Sequence, residues 1–115
     1  MATTNPDLKN LLQMLLDQHA ALLAQLDTVT DDKLADAILG EAQELLHRVN
    51  LTQNLLLVAV AQAVTDAVTA VKAADATLTQ DLKTVADAAS LIDKVTKFLG
   101  FVDKAIDLAK KVALI

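Results

Sequence analysis

Glycine and proline occupy three of the 115 positions, Gly40, Gly100 and Pro6, and this scarcity constrains the fold more than any other feature. Tight β-turns depend on these residue types, so the chain lacks the turns that an all-β domain needs. Apolar residues make up 54% of the sequence and recur at intervals of three and four, the spacing of one helix face. The sequence therefore predicts an all-α protein, either an antiparallel helical bundle or a long helical hairpin.

The length of the chain predicts a single domain spanning residues 1–115. The first helix is predicted to follow an N-cap at Asn5, with Pro6 in the first helical position and Asp7 near the positive end of the helix dipole. Its buried face is predicted to follow one 4-3 pattern of apolar residues in which His19 fills one position: Leu8, Leu12, Leu15, Leu22 and Leu26.

The boundary between the second and third helices is poorly marked in the sequence, because no glycine or proline lies near it. A connection at residues 27–32, with Thr30 as cap, precedes the second helix. The third helix is predicted to cover residues 51–74, separated from the second by a break at Asn50; one continuous helix is the alternative. Its inner face is predicted to carry an apolar row: Leu57, Val60, Val64, Ala67 and Val71.

The C-terminal third of the chain is predicted to form one or two further amphipathic helices. Thr77 or Thr79 is the expected cap of the next helix. Gly100 either ends a helix or lies within it, because an internal glycine costs only about 1 kcal/mol relative to alanine. The expected total is four or five helices.

Charge and residue types exclude several functional classes. Ten basic and fifteen acidic residues give a net charge of −5, which opposes nucleic-acid binding, and two phenylalanines provide no platform for stacking bases. The N-terminal residues lack the features of a signal peptide, and no stretch reaches the ~20 apolar residues of a membrane-spanning helix. We therefore expect a cytoplasmic protein with no nucleic-acid partner, and peripheral membrane association as the alternative.

Catalytic and metal-binding patterns are weak. The sequence contains no cysteine or tyrosine and one serine, Ser90, in the middle of a predicted helix. Glu44 and His47 have the Glu-x-x-His spacing of iron-binding helical bundles, but such sites need two copies, and this pair lies on a predicted polar face. The sequence therefore predicts no enzyme, catalytic residue, cofactor or metal site.

His19 is the most unusual polar residue of the first predicted helix because it lies within the most apolar face of the chain. A buried imidazole needs partners for its donor and acceptor, and burial disfavours its charged form. We predict a hydrogen-bonded core histidine at this position, and the alternatives are a pH-sensitive element of the core or a metal ligand on the axis of an oligomer.

The distribution of charge gives the main functional indication. Residues 1–90 carry five basic and twelve acidic side chains, whereas residues 91–115 carry five lysines and three aspartates. This basic segment has more apolar residues than one buried face requires. The start of the third predicted helix has a similar surplus. The surplus forms the predicted surface for a partner or lipid: Leu55, Val58, Phe98, Phe101, Leu108, Val112 and Ile115.

Surplus apolar surface predicts a non-enzymatic interaction or assembly protein. A monomer seldom exposes more than a few hundred Å² of contiguous apolar surface, so a homo-oligomer or a complex with another helical protein is expected. The alternative is a membrane-active or lipid-surface-binding protein that presents amphipathic helices to a bilayer.

Overall fold

A computed structural model describes residues 3–114 and contains four helices: α1 (Pro6–Gln25), α2 (Asp32–Gln53), α3 (Gln62–Leu82) and α4 (Ala88–Ala113). The helices pack side by side into a body of 49 × 21 × 17 Å. The prediction of an all-α helical bundle is confirmed, and the structure resolves the predicted four or five helices as four.

The four helices lie at the corners of a square. The main neighbours of α1 are α2 and α3, and the main neighbours of α4 are also α2 and α3. The chain therefore crosses the diagonal of the bundle between α2 and α3. Polar contacts between α1 and α3 join Asp7 to Thr65 and Gln25 to Leu82, with sequence separations of 58 and 57. Because this separation is nearly constant, α1 and α3 run parallel, while helices consecutive in sequence run antiparallel.

The buried face of α1 differs from the predicted one. The buried residues are Leu8, Leu11, Leu15, Gln18 and Leu22. Leu12, His19 and Leu26 are half-buried. The two sets have the same 4-3 spacing and share Leu8, Leu15 and Leu22. They differ because the buried set continues through Leu11 and Gln18, whereas the predicted set continues through Leu12 and His19. The predicted row is therefore displaced toward one flank of the helix.

The predicted boundary between the second and third helices is wrong. Helix α2 passes through Asn50 and ends at Gln53, and the segment predicted to begin the third helix forms the connection to α3. Leu57 and Val60, predicted to face inward, are 65% and 64% exposed. The remaining predicted inner residues, Val64, Ala67 and Val71, are buried.

Asn5 contacts this segment where it leaves the helical conformation. Its Oδ1 accepts hydrogen bonds from the backbone N–H groups of Asp7 (2.9 Å) and Leu8 (3.2 Å), which confirms the predicted cap. Its Nδ2 donates to the carbonyl oxygens of Val58 (2.9 Å) and Ala59 (3.3 Å), and its backbone N–H donates to Leu56 (2.7 Å). One buried side chain thus begins α1 and holds the connection between α2 and α3.

The predicted caps of the later helices are also displaced. Thr77 and Thr79 lie inside α3, where their hydroxyls donate to carbonyl oxygens four residues earlier. Helix α4 instead begins after Asp87, whose carboxylate accepts from the N–H of Ser90 at 2.7 Å. Asp31, rather than Thr30, caps α2. Gly100 lies within α4 and does not interrupt it.

Candidate interaction surface

An open groove runs along the outer side of the seam between α3 and α4. It consists of two adjoining cavities of about 500 Å³ and about 360 Å³, both lined by Ala70, Lys97 and Phe101. Helix α3 lines this "α3–α4 groove" mainly with small side chains: Ala63, Ala67, Ala70, Ala73 and Ala74. Because alanine projects only a methyl group from the helix, the seam stays unfilled where larger side chains would close it.

Phe101 is the prominent side chain of the α3–α4 groove. It is 46% exposed, whereas Phe98, one helical turn earlier, is 2% exposed and belongs to the core. A half-exposed aromatic ring beside open apolar space is typical of the central residues of protein interfaces. Leu108 also lines the groove and is half-buried.

The two edges of the groove carry opposite charges. Lys94, Lys97 and Lys104 line it from α4, and Asp66 and Asp81 line it from α3. The Nζ of Lys97 lies 3.2 Å from the carboxylate of Asp93 on its own helix. Among the residues that the structure describes, no carboxylate lies within 4.0 Å of the ammonium groups of Lys94 and Lys104.

The predicted surface is only partly accessible. Leu55 and Phe98 are buried by the chain itself, so the prediction that they need cover from a partner or lipid is wrong. Phe98 is buried because it lies one helical turn before Val102, on the inner face of α4. Leu55 turns into the core at the connection after α2, where it adds to the apolar contacts at that end of the bundle.

Three other residues of the predicted surface are neither clearly buried nor clearly exposed in the described part of the chain. Val58 and Val112 are half-buried and pack against the core. Ile115 lies outside the described residues. Phe101 and Leu108 are therefore the two predicted surface residues that line the α3–α4 groove and remain accessible, whereas Phe98 also borders the groove but is buried.

A second apolar surface was missed by the sequence analysis. Four leucines are partly exposed and form what we term the leucine face: Leu16, Leu23, Leu39 and Leu46. Helix α1 carries the first two leucines and α2 the last two, seven residues apart in each case. Each leucine directly follows a buried residue, so it lies on a flank of its helix. Hydrogen bonds place the other flank of α1 against α3 and that of α2 against α4, so all four leucines border the α1–α2 seam. The seven-residue spacing is present in the sequence, but a leucine beside a core position is equally compatible with the core and with a flank of the helix.

The polar residue in the core of α1 is Gln18, not His19. The Nε2 of Gln18 donates to the carboxylate of Asp75 (2.8 Å) and the hydroxyl of Thr79 (2.9 Å), and its Oε1 is buried without a partner. His19 is half-buried on the flank of the helix. The prediction of a histidine within the core is therefore wrong, because a neutral amide occupies the core position.

Arg48 joins α2 to α4. Its Nε and Nη2 donate to the two carboxylate oxygens of Asp103 at 3.0 and 3.1 Å, and its Nη1 donates to the carboxylate of Glu44. The hydrogen bond to Asp103 raises the pKa of the guanidinium. This arrangement engages Glu44 with arginine, while His47 is exposed. Within residues 3–114, no group of three or more metal-ligating side chains is assembled.

The pKa of Glu41, close to this cluster, is raised from 4.5 by burial and by the negative charge of Glu44, with Arg48 acting in the opposite direction. Folding therefore disfavours its ionised form, and its contribution to stability falls as pH rises above 4.5. We expect Glu41→Gln to raise the free energy of unfolding at pH 7, by less than about 0.5 kcal/mol because solvent screens a partly exposed carboxylate.

Urea denaturation at pH 7 and at about pH 3, below the pKa of an ordinary glutamate, measures this effect. The gain should be confined to pH 7. Asp36→Asn, which neutralises an exposed carboxylate on the same helix, is the control. An equal gain from Glu41→Gln at both pH values would contradict the electrostatic explanation.

Comparisons of the chain with known protein families, with curated proteins and with solved structures found no match. Of the helices in residues 3–114, none combines the length and the apolar character needed to cross a bilayer. The fold and the site together define a four-helix bundle with an apolar groove on one side, edged by opposite charges.

Proposed function

We propose that this chain is a non-enzymatic interaction and assembly protein whose α3–α4 groove binds the apolar face of another helical subunit. The observation that carries the proposal is Phe101, which is half-exposed beside two adjoining cavities although the rest of the aromatic content of the chain, Phe98, is buried. Grooves of this kind bind helices through apolar side chains spaced one helical turn apart.

The composition of the groove supports this function over catalysis. Its lining is mainly apolar, with alanines on the α3 side and Phe101 and Leu108 on the α4 side, and its charged residues are lysines of α4 and aspartates of α3. A mainly apolar centre with few charged residues is the usual organisation of a protein interface. The side chains that line the groove include no histidine, serine or cysteine, so none of these common nucleophiles or bases would act there.

Binding to a lipid surface is the second candidate function, and the lysines of α4 favour it. Lys97, Lys104 and Lys111 recur every seven residues, so they share one face of the helix, beside Phe101. Such a face attracts anionic lipid. The burial of Phe98 weighs against this candidate because it leaves α4 with few exposed apolar side chains to insert into a bilayer.

Phe101→Ser tests the protein-binding function. In light scattering over a concentration series, we expect the wild-type mass to rise above the 12.2 kDa of a monomer. Burying the exposed half of such a side chain in an interface is worth roughly 0.7–1.4 kcal/mol, so the variant should associate about three- to tenfold more weakly. Circular dichroism should show unchanged helicity, because Phe101 is not part of the core.

Ile92→Ser is the matched control, since Ile92 is 43% exposed on the same helix but does not line the groove. It should associate like the wild type. A wild-type chain that stays monomeric up to millimolar concentration contradicts the proposal. Flotation with vesicles containing phosphatidylserine, together with a monomeric mass in solution, would favour the lipid-surface function instead.

A further inference from the structure

We infer that the partner of the α3–α4 groove is the same groove of a second copy, in a two-fold dimer whose axis runs parallel to the helices. This inference rests on the proposed function and names the partner. In a two-fold interface the same surface is used by both copies, so it must be complementary to itself. The α3–α4 groove meets this requirement in shape and in charge.

The shape is complementary because the two helices contribute opposite features. Helix α4 contributes the projecting ring of Phe101, and α3 contributes a low surface at Ala70 and Ala73. A two-fold axis parallel to the helices, placed along the groove, sets α3 of each copy opposite α4 of the other. Each Phe101 ring then faces the alanines of the second copy, where the adjoining cavities leave room for it.

The charges are complementary in the same arrangement. Asp66 and Lys104 line one of the two cavities and lie equally far from the connection between α3 and α4, so they share one level along the bundle. Asp81 and Lys94 line the other cavity, in the half of the groove nearer to that connection. Rotation about an axis parallel to the helices keeps every residue at its own level. Asp66 of one copy therefore faces Lys104 of the other, twice in each dimer, and Asp81 lies in the same half of the interface as Lys94 of the other copy.

The other face-to-face arrangement places like charges together. A two-fold axis across the helices sets α3 opposite α3 and α4 opposite α4, with the levels reversed. Asp66 then faces Asp81, and Lys94 faces Lys104. Like charges in close opposition disfavour this dimer, so the charge pattern selects the axis that runs parallel to the helices.

Two charge reversals, first separate and then mixed, test the arrangement in the full-length protein. Lys104→Glu alone creates two Glu–Asp contacts in the dimer, and Asp66→Lys alone creates two Lys–Lys contacts. We expect each variant to dimerise about tenfold more weakly than the wild type. In an equimolar mixture, a dimer with one copy of each variant has opposite charges at both contacts, and the wild-type dimer mass should return.

Mixing separates effects between copies from effects within one chain, because neither variant changes its own internal contacts when the other is added. Lys110→Glu is the control for Lys104→Glu: it makes the same charge change on an exposed residue of α4 that does not line the groove, and it should dimerise like the wild type. Circular dichroism of each variant verifies folding. If a variant fails to fold, the salt dependence of the wild-type dimer replaces it, with weaker association expected as salt screens the contacts.

The outcomes distinguish this inference from the proposed function. If the wild type associates but the mixture does not recover, or Lys104→Glu strengthens association, the arrangement is wrong and the interaction function stands. Loss of association in Leu39→Ser but not in Phe101→Ser would assign the dimer to the leucine face and overturn the inference. Salt-independent association of the wild type would also overturn it. A wild type that is monomeric at every concentration overturns both.

Discussion

We expect Phe98→Ala to lower the free energy of unfolding by about 3–5 kcal/mol, because it removes an aromatic ring from a core position and leaves a cavity. Phe98 is 2% exposed, and its ring contacts the core between α3 and α4. Small domains are stable by about 5–15 kcal/mol, so the loss is a large fraction of the total. Urea denaturation followed by circular dichroism measures it.

Phe101→Ala provides the comparison, since it deletes the same atoms three residues later on the same helix. Phe101 is 46% exposed, so its loss should cost about 0.8–1.6 kcal/mol when measured on the monomer at low concentration, well below the cost at Phe98. The two phenylalanines should thus separate cleanly, one affecting folding and the other association. Equal destabilisation by the two substitutions would show that Phe101 belongs to the core and that the groove is not an accessible surface.

We expect Asn5→Ala to destabilise the protein by about 2–4 kcal/mol, more than the loss of a helix cap alone. The cap contributes about 0.5–2 kcal/mol, and the substitution also leaves the carbonyl oxygens of Val58 and Ala59 without their donor. A buried polar group that loses its partner costs about 1–3 kcal/mol, and the lower end of that range applies here because Val58 is half-buried and Ala59 is exposed. Thermal and urea denaturation measure the sum.

Asn5→Asp separates the two roles of this side chain. Aspartate caps helices about as well as asparagine, so α1 should keep its cap. The carboxylate has no N–H to donate, however, and it would place a negative charge beside the carbonyl oxygens of Val58 and Ala59. We therefore expect Asn5→Asp to be at least as destabilising as Asn5→Ala at pH 7.

Asp31→Ala is the control for the Asn5 variants. Asp31 caps α2 through one hydrogen bond to the N–H of Lys33 and is exposed. Its replacement should cost about 0.5–2 kcal/mol, the range for a cap alone. A stable Asn5→Asp variant would show that the side chain acts only as a cap and that other contacts hold the connection between α2 and α3.

Part of the candidate site was predictable from the sequence. The excess of apolar residues and lysines in residues 91–115 indicated that α4 presents a surface besides its core face, and Phe101 and Leu108 do line the groove. The other side of the groove was not predicted. The alanines of α3 are informative only once α4 is known to lie beside them, because an alanine on an isolated helix says nothing about which neighbour it leaves room for.

The sequence by itself determined the features that depend on local interactions. The scarcity of glycine and proline, together with apolar residues at intervals of three and four, specified an all-helical chain. The beginning of α1 was also specified, since Asn5, Pro6 and Asp7 act within one helical turn. Hydrogen bonds and dipole interactions of this kind are the same in any fold that contains the helix.

Only the tertiary structure decided where α2 ends and which apolar residues are covered. The connection after Gln53 depends on Asn5, whose side chain bonds a carbonyl group 53 residues away in sequence. On α1, two rows with the same 4-3 spacing both qualified as the core, and on α4 Phe98 and Phe101 are a single turn apart. Burial along such helices depends on the direction from which neighbouring helices approach, and that direction is a property of the packed bundle rather than of any single helix.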